Sequence, residues 1–161
     1  MITLVLGGAR SGKSAVAELL AARSAEVTYV ATAVARDTDM AGRIAAHRDR
    51  RPAAWRTVEA GAGVVDAVRT STGTVLVDSL TTWVADADGF AVDAGGLCRA
   101  LRHRAGDSVV VSDEVGLGVH PSTEAGRRFR DALGLVNQEV AAAADDVWLV
   151  VAGRMLPLVA P

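Results

Sequence analysis

Short apolar runs recur along the chain at intervals that leave room for a helix between them. Ile2 to Leu6, Val27 to Thr32, Thr74 to Asp78, Ser108 to Ser112 and Val147 to Val151 each hold mainly apolar residues with no regular polar alternation. Strands covered on both faces read this way, because neither face can be left polar. Trp55 to Glu59 is short and alternates, which predicts an edge or antiparallel strand. The intervening segments carry helical spacing: Ala15 to Arg23, Met40 to Arg50, a weaker stretch from Gly61 to Thr70, Leu97 to Arg104, and a long one from Ser122 or Thr123 to Ala143. Asp37-Thr38-Asp39 can cap the second of these and Pro52 ends it. Asp86 to Gly96, rich in Gly, Asp and Ala, reads as a loop. Strands alternating with helices predict an α/β fold with a mostly parallel sheet, helices on both faces, and a site at the strands' carboxyl ends. No linker or repeat divides the 161 residues, so one domain over residues 1–161 is expected.

The first strand runs into Gly7-Gly8-Ala9-Arg10-Ser11-Gly12-Lys13-Ser14, and a helical pattern follows directly. Strand, glycine-rich loop and helix in that order make the phosphate-binding P-loop, G-x-x-x-x-G-K-[ST]. Gly7 and Gly12 permit a loop whose N–H groups turn inward, and the helix N-terminus adds unpaired donors and the positive end of its dipole. Lys13 would reach the outer phosphates of ATP or GTP, and Ser14 would hold Mg²⁺. Lys13 is the only lysine among 17 basic residues. A chain that otherwise uses arginine keeps lysine where a compact point charge is wanted.

Composition narrows the partners. Half the residues are apolar and 22% are charged, which is globular. A net charge of −2, from 17 basic and 19 acidic residues, gives no global field for nucleic acid or an anionic membrane. The single Cys98 excludes an internal disulfide framework and suits a reducing cytosol. The chain opens on a core strand with no signal-like segment and no apolar run of membrane-spanning length, so the expectation is a cytoplasmic protein.

Further candidates follow the strands. Asp78 ends a hydrophobic strand, as an acid that holds Mg²⁺ opposite Ser14 would, though an Asp there also caps turns. Arg43, His47 and Arg50 or Arg51 share one side of the Met40–Arg50 helix. Neighbouring guanidinium groups disfavour imidazolium, which suits a nucleophilic histidine, but on the residues alone a solvated histidine is the commoner reading. Glu59 is a possible ligand or an exposed strand-end acid. Asp113-Glu114 can face the same crevice as the P-loop or form a solvated turn. His103 and His120 read as surface. Arg127, Arg128 and Arg130 open the long helix against its dipole, which marks an anionic contact, a subunit interface or a solvated face.

Several stretches together resemble one family. They are Gly7 to Ser14, Tyr29-Val30-Ala31-Thr32-Ala33, Arg43-Ile44-Ala45-Ala46-His47-Arg48 with Arg51-Pro52, Trp55-Arg56-Thr57-Val58-Glu59, Glu114-Val115-Gly116-Leu117-Gly118 with Pro121, and Phe129-Arg130-Asp131 through Val136-Asn137-Gln138. In this order they resemble the bifunctional adenosylcobinamide kinase/adenosylcobinamide-phosphate guanylyltransferase family of cobalamin biosynthesis. The resemblance implies a RecA-like P-loop fold, a homotrimer, and two reactions. Adenosylcobinamide is phosphorylated on its aminopropanol hydroxyl, and GMP is then moved from GTP to that phosphate through a guanylylated histidine. It implies that His47 carries the GMP. It also implies nucleotide contacts from Gly7, Gly8, Ala9, Arg10, Ser11, Gly12, Lys13 and Ser14, from Thr32 and Ala33, from Arg48, Asp49, Arg50 and Arg51, and from Glu59 and Asp78. Ala46 stands where the family often has a histidine, and Asp86 to Gly96 looks shorter than in the family. A P-loop kinase without guanylyl transfer and a nucleotide-binding switch are the rival readings. An Asn-Lys-x-Asp guanine-reading motif is absent from the sequence.

Overall fold

The computed structural model describes residues 1–33 and 51–160. The helix expected over Met40 to Arg50, with His47, lies outside these residues. Seven strands form one sheet: β1 (Ile2–Gly7), β2 (Val27–Ala31), β3 (Arg56–Glu59), β4 (Thr74–Asp78), β5 (Ser108–Asp113), β6 (Asp146–Val151) and β7 (Arg154–Leu158). Their order across the sheet is β3-β2-β4-β5-β1-β6-β7. All neighbours are parallel except β6 and β7. The central strands are built on the unbroken apolar runs of the sequence, because each must be covered twice.

One face of the sheet packs under α2 (Val64–Thr70), α3 (Leu80–Asp86), α4 (Ala94–His103) and α5 (Glu124–Ala143). There Val64, Val68, Leu80, Trp83, Leu97, Leu133 and Val140 meet Leu4, Val75, Val77 and Val110. On the other face α1 (Lys13–Ala21) lays Ala17 and Ala21 against Val5, Leu76, Val109, Val111 and Val150. The strand side chains sort between the faces by their two-residue alternation.

Four features refine or depart from the sequence reading. β3 is an edge strand as expected, but it pairs parallel to β2, with Ala31 opposite Glu59. The stretch expected as a turn after Asp78 is α3, built on Leu80, Trp83 and Val84, which are buried at i, i+3 and i+4 despite the β-branched threonines between them. The expected loop from Asp86 to Gly96 contains a 3-10 turn at Asp88–Phe90 and the start of α4. Asp93 caps α4 by accepting from Gly96 N–H at 2.7 Å. β7 was not expected, and it contains Pro157, which cannot donate to a ladder. It is tolerated here on the sheet edge, where it pairs only with β6. The long helix begins where its cap predicts, with Thr123 Oγ1 accepting from Gly126 N–H at 3.1 Å.

Candidate active site

Gly7 closes β1 and opens the loop to α1. A Cβ at Gly7 would lie 2.5 Å from Ser11 Oγ and 2.7 Å from the Val150 carbonyl oxygen, so no other residue fits. Arg10 and Gly12 adopt positive φ of 57° and 94°, which folds the chain around a concavity. The loop is tied internally by Ser11 N–H to Gly8 C=O at 3.2 Å. From outside, Gly153 N–H donates to Ser11 C=O at 2.8 Å. Gly153 sits in the two-residue turn between β6 and β7, where Ala152 and Gly153 both have positive φ as the tightest hairpins require. The last hairpin of the chain therefore buttresses the loop. α1 begins after Gly12, which gives it no side-chain cap, and has no acidic residue in its first turn; Lys13 N–H reaches Ser11 Oγ at 3.3 Å, and the positive end of the dipole faces the loop, as an anion requires.

Lys13 points into this space. Its Nζ lies 2.5 Å from Asp113 Oδ1 and 3.3 Å from the Gly8 carbonyl oxygen. Asp113 ends β5, directly opposite Gly7 in the pairing register. Its backbone is fixed on both sides: Asp113 N–H donates to Thr81 Oγ1 at 2.9 Å and Asn137 Nδ2 donates to its carbonyl at 3.0 Å.

Asp78 ends β4, and by the alternation that places Leu76, Val109 and Val111 against α1, Asp78 and Asp113 both project on the α1 side. The Tyr29 hydroxyl donates to Asp78 Oδ2 at 2.8 Å. Burial, then the Asp78 charge, raise the Tyr29 phenol far above its ordinary value, so it remains a neutral donor. The Arg51 guanidinium stacks on the same ring at 3.7 Å from its centre and donates to Thr57 Oγ1 at 3.2 Å. Arg51, Tyr29 and Asp78 thus form one connected assembly.

Of the residues expected at the site, Gly7 to Ser14, Thr32, Ala33, Arg51, Glu59 and Asp78 lie at the carboxyl ends of β1 to β4 or in the segments beside them. Thr32 is fully buried and welds β2 to the turn after β4. It donates from Oγ1 to Ser79 C=O at 2.7 Å, accepts from Ser79 N–H at 2.8 Å, and sends its own N–H to Asp78 C=O. Glu59 closes β3 with its side chain exposed. His47, Arg48, Asp49 and Arg50 lie outside the described residues. Of the two alternatives open for Asp113, its carboxylate takes the crevice beside the P-loop, against Lys13; Tyr29 and Gly153 were not among the expected site residues. The position of Asp113 after an apolar strand was the available signal, whereas nothing local marks Gly153.

Among the described residues no group of three or more His, Cys, Asp or Glu side chains could hold a metal. The oxygen donors expected for Mg²⁺ are the Ser14 hydroxyl and the Asp78 carboxylate, and that ion binds through one or two such ligands together with waters and substrate phosphates. The arginines opening α5 act locally. Arg127 donates to the Pro121 and Ser122 carbonyls at 3.1 Å, and Arg130 lies 2.9 Å from both His120 Nδ1 and Asp131 Oδ1. On the sheet face away from the P-loop, Gly61, Val65, Trp83, Asp86, Val92 and Asp93 are among the residues lining a cavity of about 400 Å³. The segment expected to be shorter than in the family forms its rim.

The family model for cobinamide kinase / cobinamide phosphate guanyltransferase matches residues 3–158. The chain belongs to this family. Among curated relatives, the bifunctional adenosylcobalamin biosynthesis protein CobP of Pseudomonas aeruginosa is 42% identical over 168 residues, covering 98% of this chain and 97% of its own. The CobU proteins of Escherichia coli and Salmonella typhimurium are 38% and 40% identical, each covering 95% of this chain and 97% of their own. A solved structure, the P4 protein from bacteriophage phi6 in complex with ADP, is similar over 96% of this chain and 52% of that one, at a TM-score of 0.46 and 16% identity. The protein is accordingly a bifunctional transferase of adenosylcobalamin biosynthesis, a cobinamide kinase and cobinamide phosphate guanylyltransferase that uses nucleoside triphosphates.

Proposed function

We propose that the Gly7–Ser14 loop is the phosphate cradle of this enzyme and that His47 carries the guanylyl group. The observation that supports the cradle most directly is the uncapped start of α1 behind a loop folded by positive φ at Arg10 and Gly12, with Lys13 aimed into it. In the kinase step the aminopropanol hydroxyl attacks the γ-phosphorus of ATP or GTP. A P–O bond forms, the bond to the leaving diphosphate breaks, and the hydroxyl proton passes to solvent. The backbone N–H groups and Lys13 balance charge on the transferred group. Ser14 and Asp78 would hold Mg²⁺, which neutralises phosphate charge when bound, and Tyr29 orients the Asp78 carboxylate by its 2.8 Å bond. In the second step His47 attacks the α-phosphorus of GTP and expels pyrophosphate. The phosphate of adenosylcobinamide phosphate then displaces His47, leaving a phosphoanhydride. Thr32, Ala33, Arg48, Asp49, Arg50, Arg51 and Glu59 are the further nucleotide contacts in this reading.

Residues 1–161 act as one P-loop domain in the cytoplasm, and the assembly is a homotrimer. The trimer is supported by the exposed edge hairpin, where Val151, Leu156, Leu158 and Val159 are 60%, 56%, 41% and 87% accessible. Introducing a charge with Leu156→Glu is expected to shift the sedimentation profile from trimer to monomer. An unchanged profile would place the contact elsewhere.

The test of the chemistry is incubation with α-³²P-GTP and Mg²⁺, followed by denaturation. Label stable in alkali, lost in acid, and missing from both His47→Ala and Lys13→Ala is the expected result. Label retained in His47→Ala would remove that residue from the covalent step.

A further inference from the structure

The P-loop lysine is engaged by a carboxylate of its own chain. Lys13 Nζ stands 2.5 Å from Asp113 Oδ1, with only 13% and 23% of the two side chains accessible. Gly8 C=O takes a second of the ammonium's three donors at 3.3 Å. A phosphate seated on the loop's N–H groups needs that same ammonium. It would also meet the Asp113 charge on the far side of it.

Asp113 cannot withdraw with its strand. Its own N–H and C=O are bonded to Thr81 and Asn137, and the next residue, Glu114, donates from N–H to Gly7 C=O at 3.1 Å. A negative charge is therefore fixed within reach of the phosphates by backbone bonds that do not involve the carboxylate.

We propose that Asp113 is a positioning residue that competes with nucleotide phosphate for Lys13 and so weakens binding and speeds release at the P-loop. The inference rests on the cradle assignment above. It has a use in a two-step transferase whose chain contains one lysine. If one cradle serves both steps, the diphosphate left by phosphoryl transfer must leave before GTP is attacked, and a resident carboxylate that recaptures the ammonium assists that exchange. The attraction between two unit charges a few ångströms apart near a protein surface is large enough for a single carboxylate to move phosphate affinity severalfold.

The experiment measures ADP and GDP binding by titration calorimetry in EDTA, so that no metal bridges carboxylate and phosphate, and mant-GDP release by stopped flow. Asp113→Asn keeps the side-chain shape and all three backbone bonds while removing the charge. It is expected to bind each diphosphate about tenfold more tightly and to release mant-GDP correspondingly more slowly. Asp113→Glu, which keeps the charge, should stay within about twofold of the wild type. In a Lys13→Ala background the Asn substitution should change affinity less than about threefold, because the contested ammonium is gone. Equal or weaker binding by Asp113→Asn overturns the proposal, as does a tightening of the same size without Lys13. A wild-type protein that binds neither diphosphate would instead overturn the cradle assignment on which the proposal stands.

Discussion

Tyr29→Phe removes one atom from the site and leaves the rest of the ring in place. Tyr29 is only 4% exposed, and its hydroxyl donates to Asp78 Oδ2 at 2.8 Å. The Arg51 guanidinium, stacked 3.7 Å from the ring centre, needs only the π face, so phenylalanine preserves that contact. The perturbation is confined to one hydrogen bond to a charged acceptor, a class worth roughly 1.5–3 kcal/mol. Asp78 is half-buried and keeps part of its hydration, so the lower end applies, about 2 kcal/mol. For a chain of this size each kcal/mol moves Tm by roughly 2–4 °C, which gives a fall of about 4–8 °C by calorimetry at pH 7. The pH dependence gives a second readout. The Tyr29 phenol is raised in the folded protein above the 10.0 of the unfolded chain. Above pH 10 the unfolded chain therefore holds fewer protons than the folded one, and stability falls as pH rises. The wild type should lose its advantage progressively above pH 10, while the Phe variant lacks this slope. Kinase activity should fall in the variant because the carboxylate loses its fixed orientation. A Tm change below about 1 °C, with identical alkaline limbs for the two proteins, would refute the reasoning.

Gly7→Ala places a methyl group against Ser11 Oγ and the Val150 carbonyl at 2.5 and 2.7 Å. The overpacking should cost about 1–3 kcal/mol and weaken nucleotide binding at least tenfold, read by melting and by GDP titration. Arg104 donates to the Gly73, Gly106 and Asp107 carbonyls and to Ser108 Oγ at 2.6–3.1 Å, clamping the amino ends of β4 and β5. Arg104→Met should destabilise by about 2–4 kcal/mol in urea unfolding while leaving GDP affinity unchanged, since the clamp is at the amino ends of the strands and the P-loop at the carboxyl ends. Burial, then the Glu139 charge, push the Cys98 thiol above its ordinary range, so it stays protonated at pH 8. Iodoacetamide should label it only as fast as the protein unfolds.

The site was partly legible because phosphate chemistry leaves a local mark. A loop that must turn N–H groups inward needs glycines at fixed offsets, and Gly7, Gly12, Lys13 and Ser14 show them without tertiary information. Core strands were legible for a similar reason, since burial on both faces makes Val75-Leu76-Val77 and Val109-Val110-Val111 unbroken apolar runs. What was missed depends on partners distant in sequence. The Asp113 carboxylate meets Lys13 only because β5 is laid beside β1 with Gly7 opposite Asp113. Gly153 buttresses the loop across 142 residues of chain, from 11 to 153. α3 was hidden by threonines of low helix propensity, which the burial of Leu80, Trp83 and Val84 overrides. α4 was shortened in the reading by Gly95 and Gly96, although Asp93 caps it three residues earlier than the apolar pattern suggested.

The position of β1 also bears on how the chain is made. The strand that carries the P-loop is synthesised before β2 to β7, yet its two neighbours are β5 and β6, beginning at Ser108 and Asp146. At the usual pace of translation, about 5–20 residues per second, roughly 5–20 seconds pass before β5 exists to pair with it. During that time Ile2, Leu4, Val5 and Leu6, all buried in the finished fold, have no sheet to enter. Pairing of β2 with β3 and β4 can begin earlier, so the sheet grows from that flank toward the centre. The loop that must hold phosphate takes its final shape last, when the hairpin around Gly153 has left the ribosome. A nascent chain of this enzyme is therefore unable to hold nucleotide until β6 and β7 have emerged, and loss of that strand pair would be felt at the Gly7–Ser14 loop.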